Sequence, residues 1–153
     1  MNTPQGSNGP ILDTDYGQRL DKVMTFAGAT ANDPGDHDGD GDPATLFNVT
    51  GTVRMRILAV CNTTLVGSSA TLEVGTTVTT AGLIAQTTAE AIDVNEIWHD
   101  AAPDASVELT SVLANNIVSS DVIQTVATAN ITAGKITYTC IWFPLSENGQ
   151  VTV

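Results

Sequence analysis

Residues 135–143 constrain the fold of this chain more than any other stretch. Their sequence, KITYTCIWF, is dominated by β-branched and aromatic residues, which fit the pleated and partly buried surface of a sheet. Because side chains alternate between the two faces of a strand, Ile136 and every second residue up to Trp142 form one apolar face. The stretch predicts a central strand that the earlier strands pack around and that ends at Pro144, which has no N–H to donate.

Shorter alternating segments recur along the chain, separated by glycines at the short spacing of sandwiches and barrels. The predicted strands cover residues 20–26, 46–49, 53–61, 70–78 (with Val78 facing inward), 83–87, 107–113, 122–126, 130–132 and 151–153. Residues 133–134 are predicted to turn the chain, and residues 89–98 fit neither a helix nor a strand. With roughly eight or nine strands and no helix, we predict an all-β, single-domain antiparallel β-sandwich that is jelly-roll-like.

The length of 153 residues fits one domain. We expect a flexible N-terminal arm over residues 1–10 and a β-sandwich over 11–153, with an Asp-rich loop at 29–44. The N-terminal residues lack the basic and apolar regions of a signal peptide, and no apolar run approaches the roughly 20 residues of a membrane helix. Cys61 and Cys140 each fall within a predicted strand. We expect buried free thiols, with a cross-strand disulfide as the alternative.

The charge balance narrows the choice of partners. Lys and Arg total 5 against 17 acidic residues, and the formal net charge is -12. Such a chain repels phosphate backbones and lacks the basic patch that attracts anionic membranes, so we expect neither nucleic acid nor membrane as a partner. The acidity serves solubility, or it marks a partner with a basic surface or a site for metal ions.

The Asp-rich loop contains the strongest local motif. Asp36, Asp38 and Asp40, followed by Gly41, match the Asp-x-Asp-x-Asp-Gly start of calcium loops, in which alternate carboxylates converge on one hard cation. An EF-hand needs a Glu at the twelfth position, where this chain has Phe47, and it needs flanking helices. The first interpretation is therefore a solvated acidic loop. A looser calcium site that uses Asp36, Asp38, Asp40 and Asp42 is the functional alternative, and we expect no other cofactor. A segment that docks on a basic surface is the remaining alternative.

Two further sets of residues are candidates for function. Arg54 and Arg56 share one face of a predicted strand, either as a solvated strand end or as an interface that pairs with carboxylates of a neighbouring subunit. His99 precedes Asp100, as a histidine oriented by a carboxylate would. No nucleophile motif accompanies this pair, so we interpret His99 as a packing residue and predict that the protein is not an enzyme.

Five segments resemble small, mostly uncharacterised structural proteins of tailed bacteriophages and prophages. They are GQRLDKV (17–23), DPGD (33–36), DPATLFNVTG (42–51), EIWHDAAPDAS (96–106) and WFPLS (142–146). The resemblance implies a virion protein assembled in the host cytoplasm, namely a decoration (cement) protein bound to the major capsid protein on the outside of the head. By analogy it also implies a homotrimer. A tail or baseplate sandwich module and a calcium-dependent adhesion or carbohydrate-binding module are the alternatives.

Overall fold

The computed structural model describes residues 17–28, 30–37, 43–105, 107 and 114–153. The predicted arm at 1–10, nearly all of the predicted strand at 107–113, and Asp38, Asp40 and Asp42 lie outside the described residues. No helix within these ranges is long and apolar enough to cross a membrane. The described residues form one 3₁₀ turn, Ala89–Ala91, and eleven strands: β1 (Gln18–Phe26), β2 (Ala44–Thr50), β3 (Val53–Val66), β4 (Thr71–Gly75), β5 (Ile84–Thr88), β6 (Glu96–Trp98), β7 (Asp104–Ala105), β8 (Asn116–Val118), β9 (Val122–Ala127), β10 (Ala133–Pro144) and β11 (Gln150–Thr152).

The strands form two antiparallel sheets. The first sheet has the order β1-β10-β3-β6-β7, with β8 also paired to β3, and the second has the order β11-β2-β9-β4-β5. The pairs are nested, because β1 pairs with β10, β2 with β9, β3 with β8 and β4 with β5. Such a wrapped hairpin is the jelly-roll arrangement, so the predicted fold is confirmed. The strand number is higher than predicted because β6, β7 and β8 are too short to show alternation.

Strand β10 occupies the central position that its sequence predicts, between β1 and β3. Ile136, Tyr138 and Cys140 are each 0% exposed, and the ring of Trp98 meets that of Tyr138 edge-on with 6.3 Å between centroids. Burial of a large apolar side chain stabilises the fold by about 1.5–3 kcal/mol. Pro144 is the last residue of the strand, which confirms the predicted end.

The predicted strand at 70–78 is wrong at its C-terminal end. Strand β4 stops at Gly75, and Val78 is 91% exposed instead of facing inward. The Thr76 N–H donates to the Thr79 carbonyl (3.0 Å), which turns the chain back. A Cβ on Gly75 would lie 2.0 Å from the same Thr79 oxygen. This close approach needs glycine, so the glycine marks a turn within the alternating pattern.

Two predictions near residue 132 are also wrong. Residues 130–132 form no strand, and residues 133–134 belong to β10 instead of a turn. Gly134 has a φ of +125° at a register shift between β10 and β3. A β-bulge of this kind bends a strand locally, so the chain enters β10 without a separate turn.

Both cysteines are buried free thiols, as predicted. Burial raises the pKa of the Cys61 thiol and raises that of Cys140 to about 12. Because the thiolate is the reactive form of cysteine, both side chains act as small apolar packing residues.

Candidate functional site

The first sheet carries all of the chain's lysines and arginines. They are Arg19 and Lys22 on β1, Arg54 and Arg56 on β3, and Lys135 on β10. Residues on both sides of Arg54, Arg56 and Lys135 are buried, and Leu20 beside Arg19 packs against the core. These four side chains therefore lie on the outer face of the sheet. Lys22 has the opposite parity, at the open edge formed by β1. The positive charge of an acidic protein is thus concentrated on one sheet.

The three arginines lie close together at one end of this outer face. Arg19, Ile141 and Arg56 form one row across β1, β10 and β3. Phe143 and Arg54 are paired in the next outward-facing row. Because adjacent strands lie about 4.8 Å apart, the backbones of Arg19 and Arg56 are separated by about 10 Å. We call these five residues the arginine patch.

The side chain of Arg54 is held in place by an aromatic ring. Its guanidinium carbon lies 4.5 Å from the centroid of the Phe143 ring, within the range of a cation–π interaction. Gly17 lies against the same ring, where an added Cβ would be 2.7 Å from a ring carbon. The Nε of Arg54 is buried and has no hydrogen-bond partner among the described residues. A side chain fixed in this way loses little conformational entropy when it binds a partner.

The other two arginines have polar neighbours. The Nε of Arg56 donates to Asn115 Oδ1 (3.1 Å), and Arg19 forms an ion pair with Asp21 (2.8 Å). Thr139 Oγ1 also donates to Asp21 Oδ1 (2.7 Å). The hydrogen bond from Arg19, followed by that from Thr139, lowers the pKa of the Asp21 carboxyl group. One of the three arginines is therefore neutralised within the molecule.

Arg54 and Arg56 are different from Arg19 in this respect. Within the described ranges neither forms an ion pair with a carboxylate, although the chain has 17 acidic residues. Ile117, paired with Arg54 across β8 and β3, is 74% exposed. Arginine, aromatic and exposed aliphatic side chains at one location are typical of protein–protein interfaces.

The structure describes only one of the four predicted calcium ligands. Asp36 is 4% exposed, whereas Asp38, Asp40 and Asp42 lie outside the described residues. In the part of the chain that is described, no three His, Cys, Asp or Glu side chains are grouped as a metal site. The calcium site therefore stays a prediction.

The described part of the Asp-rich loop is tied to the core. Gln124 Nε2 donates to the Pro34 carbonyl (2.7 Å), and the Tyr138 hydroxyl donates to Gln124 Oε1 (3.1 Å). Both side chains are fully buried, and burial raises the pKa of Tyr138. The Ile131 N–H donates to the Gly35 carbonyl (2.9 Å). The loop thus starts from a fixed position on the sandwich.

Two other locations could in principle hold a catalytic or binding site, namely His99 with Asp100 and a cleft beside β8. His99 is 8% exposed directly after β6, with its Nε2 3.6 Å from Asp100 Oδ2, and its burial agrees with a packing role. A cleft of about 280 Å³ lies between β8 and the segment after β4, where Thr79, Asn116 and Ser120 are among its lining residues. Hydroxyl, amide and aliphatic side chains line this cleft together with a glycine, and none of the lining side chains titrates.

The sequence identified Arg54 and Arg56 but not their neighbours. The outward direction of Arg19 could have been predicted, because alternation in β1 puts Arg19 on the face opposite Leu20 and Met24. The pairing of Phe143 with Arg54 could not have been predicted, because it depends on the register of strands far apart in the chain.

Comparison of the chain with models of known families, with curated proteins and with solved structures yields no match. The resemblance to phage structural proteins therefore has no support from these comparisons and stays a hypothesis. The arginine patch is the feature that best supports a function.

Proposed function

We propose that this protein is a non-enzymatic structural subunit that binds neighbouring protein subunits through its arginine patch. One observation carries the proposal: the only three arginines of an acidic chain lie together, and Arg54 and Arg56 have no carboxylate partner among the described residues. The planar guanidinium group matches a carboxylate with two parallel hydrogen bonds. The patch is therefore suited to a protein surface that presents carboxylates.

A nucleic acid is a poorer match for the same patch. Phosphate binding relies on several cations within a positive field, whereas this chain has a net charge of -12. Phe143, which could stack on a base, is already in contact with Arg54. A protein surface can present one or two carboxylates to so small a patch, whereas a nucleic acid presents a continuous row of phosphates. The patch therefore fits protein carboxylates better.

For the biological setting we propose a decoration protein of a tailed bacteriophage, which binds the major capsid protein on the outside of the head. The resemblance of five segments supports this setting, and jelly rolls occur in viral capsid domains, which is support by analogy of fold alone. In this proposal the protein forms a homotrimer, assembles in the host cytoplasm and remains in the virion. It has no nucleic-acid or membrane partner.

The location is tested on particles produced from the genome that encodes this chain. After density-gradient purification, gold-labelled antibody against the protein should decorate the head in electron micrographs. Label on the tail would replace the head assignment with the tail or baseplate module. Absence of the protein from purified particles would contradict a virion role altogether.

The role of the patch is tested by adding purified protein back to particles that lack it. We expect Arg54→Glu combined with Arg56→Glu to abolish rebinding in a pelleting assay. The control is Thr45→Glu with Asn48→Glu, which adds negative charge at exposed positions of β2 in the second sheet and should rebind normally. Equal rebinding of the two double variants would exclude the patch as a site of assembly.

A further inference from the structure

A group of carboxylates lies on the first sheet and on the turn beside it. The sequence contains no Lys or Arg between Arg56 and Lys135, and this stretch includes Glu90, Asp93 and Glu96, which we call the acidic pole. Glu90 and Asp93 are exposed and Glu96 is half-buried. The first sheet and the turn beside it therefore carry both the basic and an acidic surface of the chain.

Strand β3 places these two surfaces at opposite ends. The Asn95 N–H donates to the Cys61 carbonyl (2.9 Å) and the Val94 N–H donates to Thr64 Oγ1 (3.1 Å), so the acidic pole lies beside the second half of β3. Arg54 lies at the start of the strand. At about 3.3 Å per residue, the strand advances about 23 Å from Arg54 to Cys61. This distance is too long for a side-chain ion pair, so the two surfaces cannot neutralise each other within one molecule.

Each surface also lies beside an exposed apolar side chain. Ile117, beside Arg54, is 74% exposed, and Val94, between Asp93 and Glu96, is 48% exposed. Interfaces combine apolar contact at the centre with charged groups around it. The arginine patch and the acidic pole thus match each other in charge and in having an apolar contact point.

We propose that copies of this chain bind head to tail, with the arginine patch of one copy on the acidic pole of the next. This inference rests on the proposed function and identifies the neighbouring subunit as a second copy of the chain. A two-fold contact of the patch with itself would bring arginines against arginines, which is repulsive. A contact in which each copy turns its patch to one neighbour and its pole to another is heterologous, and it closes into a ring when its rotation divides a full turn. A trimer is one such ring.

The test is sedimentation velocity of the purified full chain at about 0.05 M and about 0.5 M NaCl, which change the screening of exposed charges. We expect an oligomer at low salt that dissociates at high salt. Arg54→Glu with Arg56→Glu, and separately Glu90→Lys with Asp93→Lys, should each weaken association at least about tenfold. An equimolar mixture of these two variants should regain part of the association, because the reversed patch of one variant meets the reversed pole of the other. Recovery in a three-membered ring is incomplete, since one of its three contacts still joins two copies of the same variant.

Lys135→Glu is the control on the same outer face. It makes the same change of charge as Arg54→Glu alone, which is half the change in the double arginine variant. Lys135 lies opposite Thr63, at the acidic end of the sheet, so this change should leave association intact or strengthen it. Circular dichroism shows whether each variant folds. If a Glu variant does not fold, Arg54→Gln with Arg56→Gln replaces it, with the same expected direction.

Two results would overturn the inference. An oligomer that survives the arginine variants would assign self-association to another surface. A wild-type chain that is monomeric at both salt concentrations would exclude the head-to-tail contact. The proposed function would still stand in that case if the same arginine variants lost binding to particles, and it would fall with the inference if they did not.

Discussion

The outer faces of the two sheets differ, although both inner faces are built mainly from apolar side chains. On the second sheet Glu73 Oε2 accepts a hydrogen bond from Gln86 Nε2 (3.1 Å), and Thr71 Oγ1 donates to the Ala127 carbonyl (3.3 Å). These polar groups find partners within the molecule. On the first sheet, Arg54 and Arg56 have no carboxylate partner among the described residues.

The difference separates what the fold requires from what it leaves free. A sandwich needs two apolar inner faces in register, and both sheets supply them. The outer faces contribute less to stability, so their composition is open to other demands. Polar uncharged side chains on the second sheet keep that surface hydrated, whereas every lysine and arginine of the chain lies on the first sheet. We infer that binding takes place on the first.

The largest expected effect tests whether the inner faces are in fact equivalent. Ile136 of the first sheet and Leu72 of the second are both 0% exposed. Ile136→Ala and Leu72→Ala should each lower the free energy of unfolding by about 2–5 kcal/mol, because each leaves a cavity in a packed core. Urea denaturation measures both values. A negligible loss in one sheet would mean that the two sheets do not share one core.

A smaller effect is expected where the first sheet supports its patch. Gly17 has a φ of +75°, and a Cβ there would lie 2.6 Å from the Trp142 carbonyl oxygen. Gly17→Ala should lower the free energy of unfolding by about 2–3 kcal/mol, of which about 1–2 kcal/mol is the cost of the left-handed conformation. Gly28→Ala is the control: φ is +110°, but the nearest atom is 3.7 Å away. Equal losses in the free energy of unfolding of the two variants, from thermal or urea denaturation, would mean that the close contact of Gly17 with Phe143 and Trp142 adds nothing to the cost.

The third effect contrasts single side chains on the two outer faces. Phe143→Leu removes the cation–π contact with Arg54 and should lower the free energy of unfolding by about 0.5–1 kcal/mol. It should also weaken binding through the patch. Thr125, on the second sheet, has a buried hydroxyl without a partner among the described residues. Thr125→Val should therefore leave stability unchanged or raise it by up to about 1 kcal/mol. Urea unfolding of both variants checks the opposite signs.

The smallest effect is the pH dependence of the one ion pair in the patch. The pKa of Asp21 is below its ordinary value of 3.8, so its stabilising contribution is complete above that pH and is lost as the pH falls through the lowered pKa. Because the pair is exposed, the contribution should be less than about 1 kcal/mol. Asp21→Asn should remove this contribution, so the free energy of unfolding of the variant should fall by less between neutral and acidic pH than that of the wild type. A loss of much more than about 1 kcal/mol in the free energy of unfolding at neutral pH would mean that Asp21 stabilises the fold beyond this ion pair.

The sequence predicted the architecture well where alternation is long. The parity of residues 136–142 identified the central strand, and β3 was found for the same reason. Strand β1 was found from a weaker alternation and β9 as a short β run. It failed at two glycines. The bulge at Gly134 depends on contact with a distant strand, which local alternation does not show. The turn after Gly75 is local, and the alternating pattern was extended past the glycine that marks it.

The site was predictable in part for the same physical reason. Arg54 and Arg56 share a face because both lie on one strand, and strand parity is visible in sequence. Arg19 and Phe143 join them only through the pairing of β1 and β3 with β10. Long-range register brings these residues together, and a single sequence does not encode it in any local pattern.

A cryo-EM map of the assembled particle at side-chain resolution tests the central claim most directly. It should show the guanidinium groups of Arg54 and Arg56 against carboxylates of an adjacent subunit, with the second sheet's outer face turned to solvent. A map in which both arginines face solvent while the second sheet makes the contacts would contradict the account.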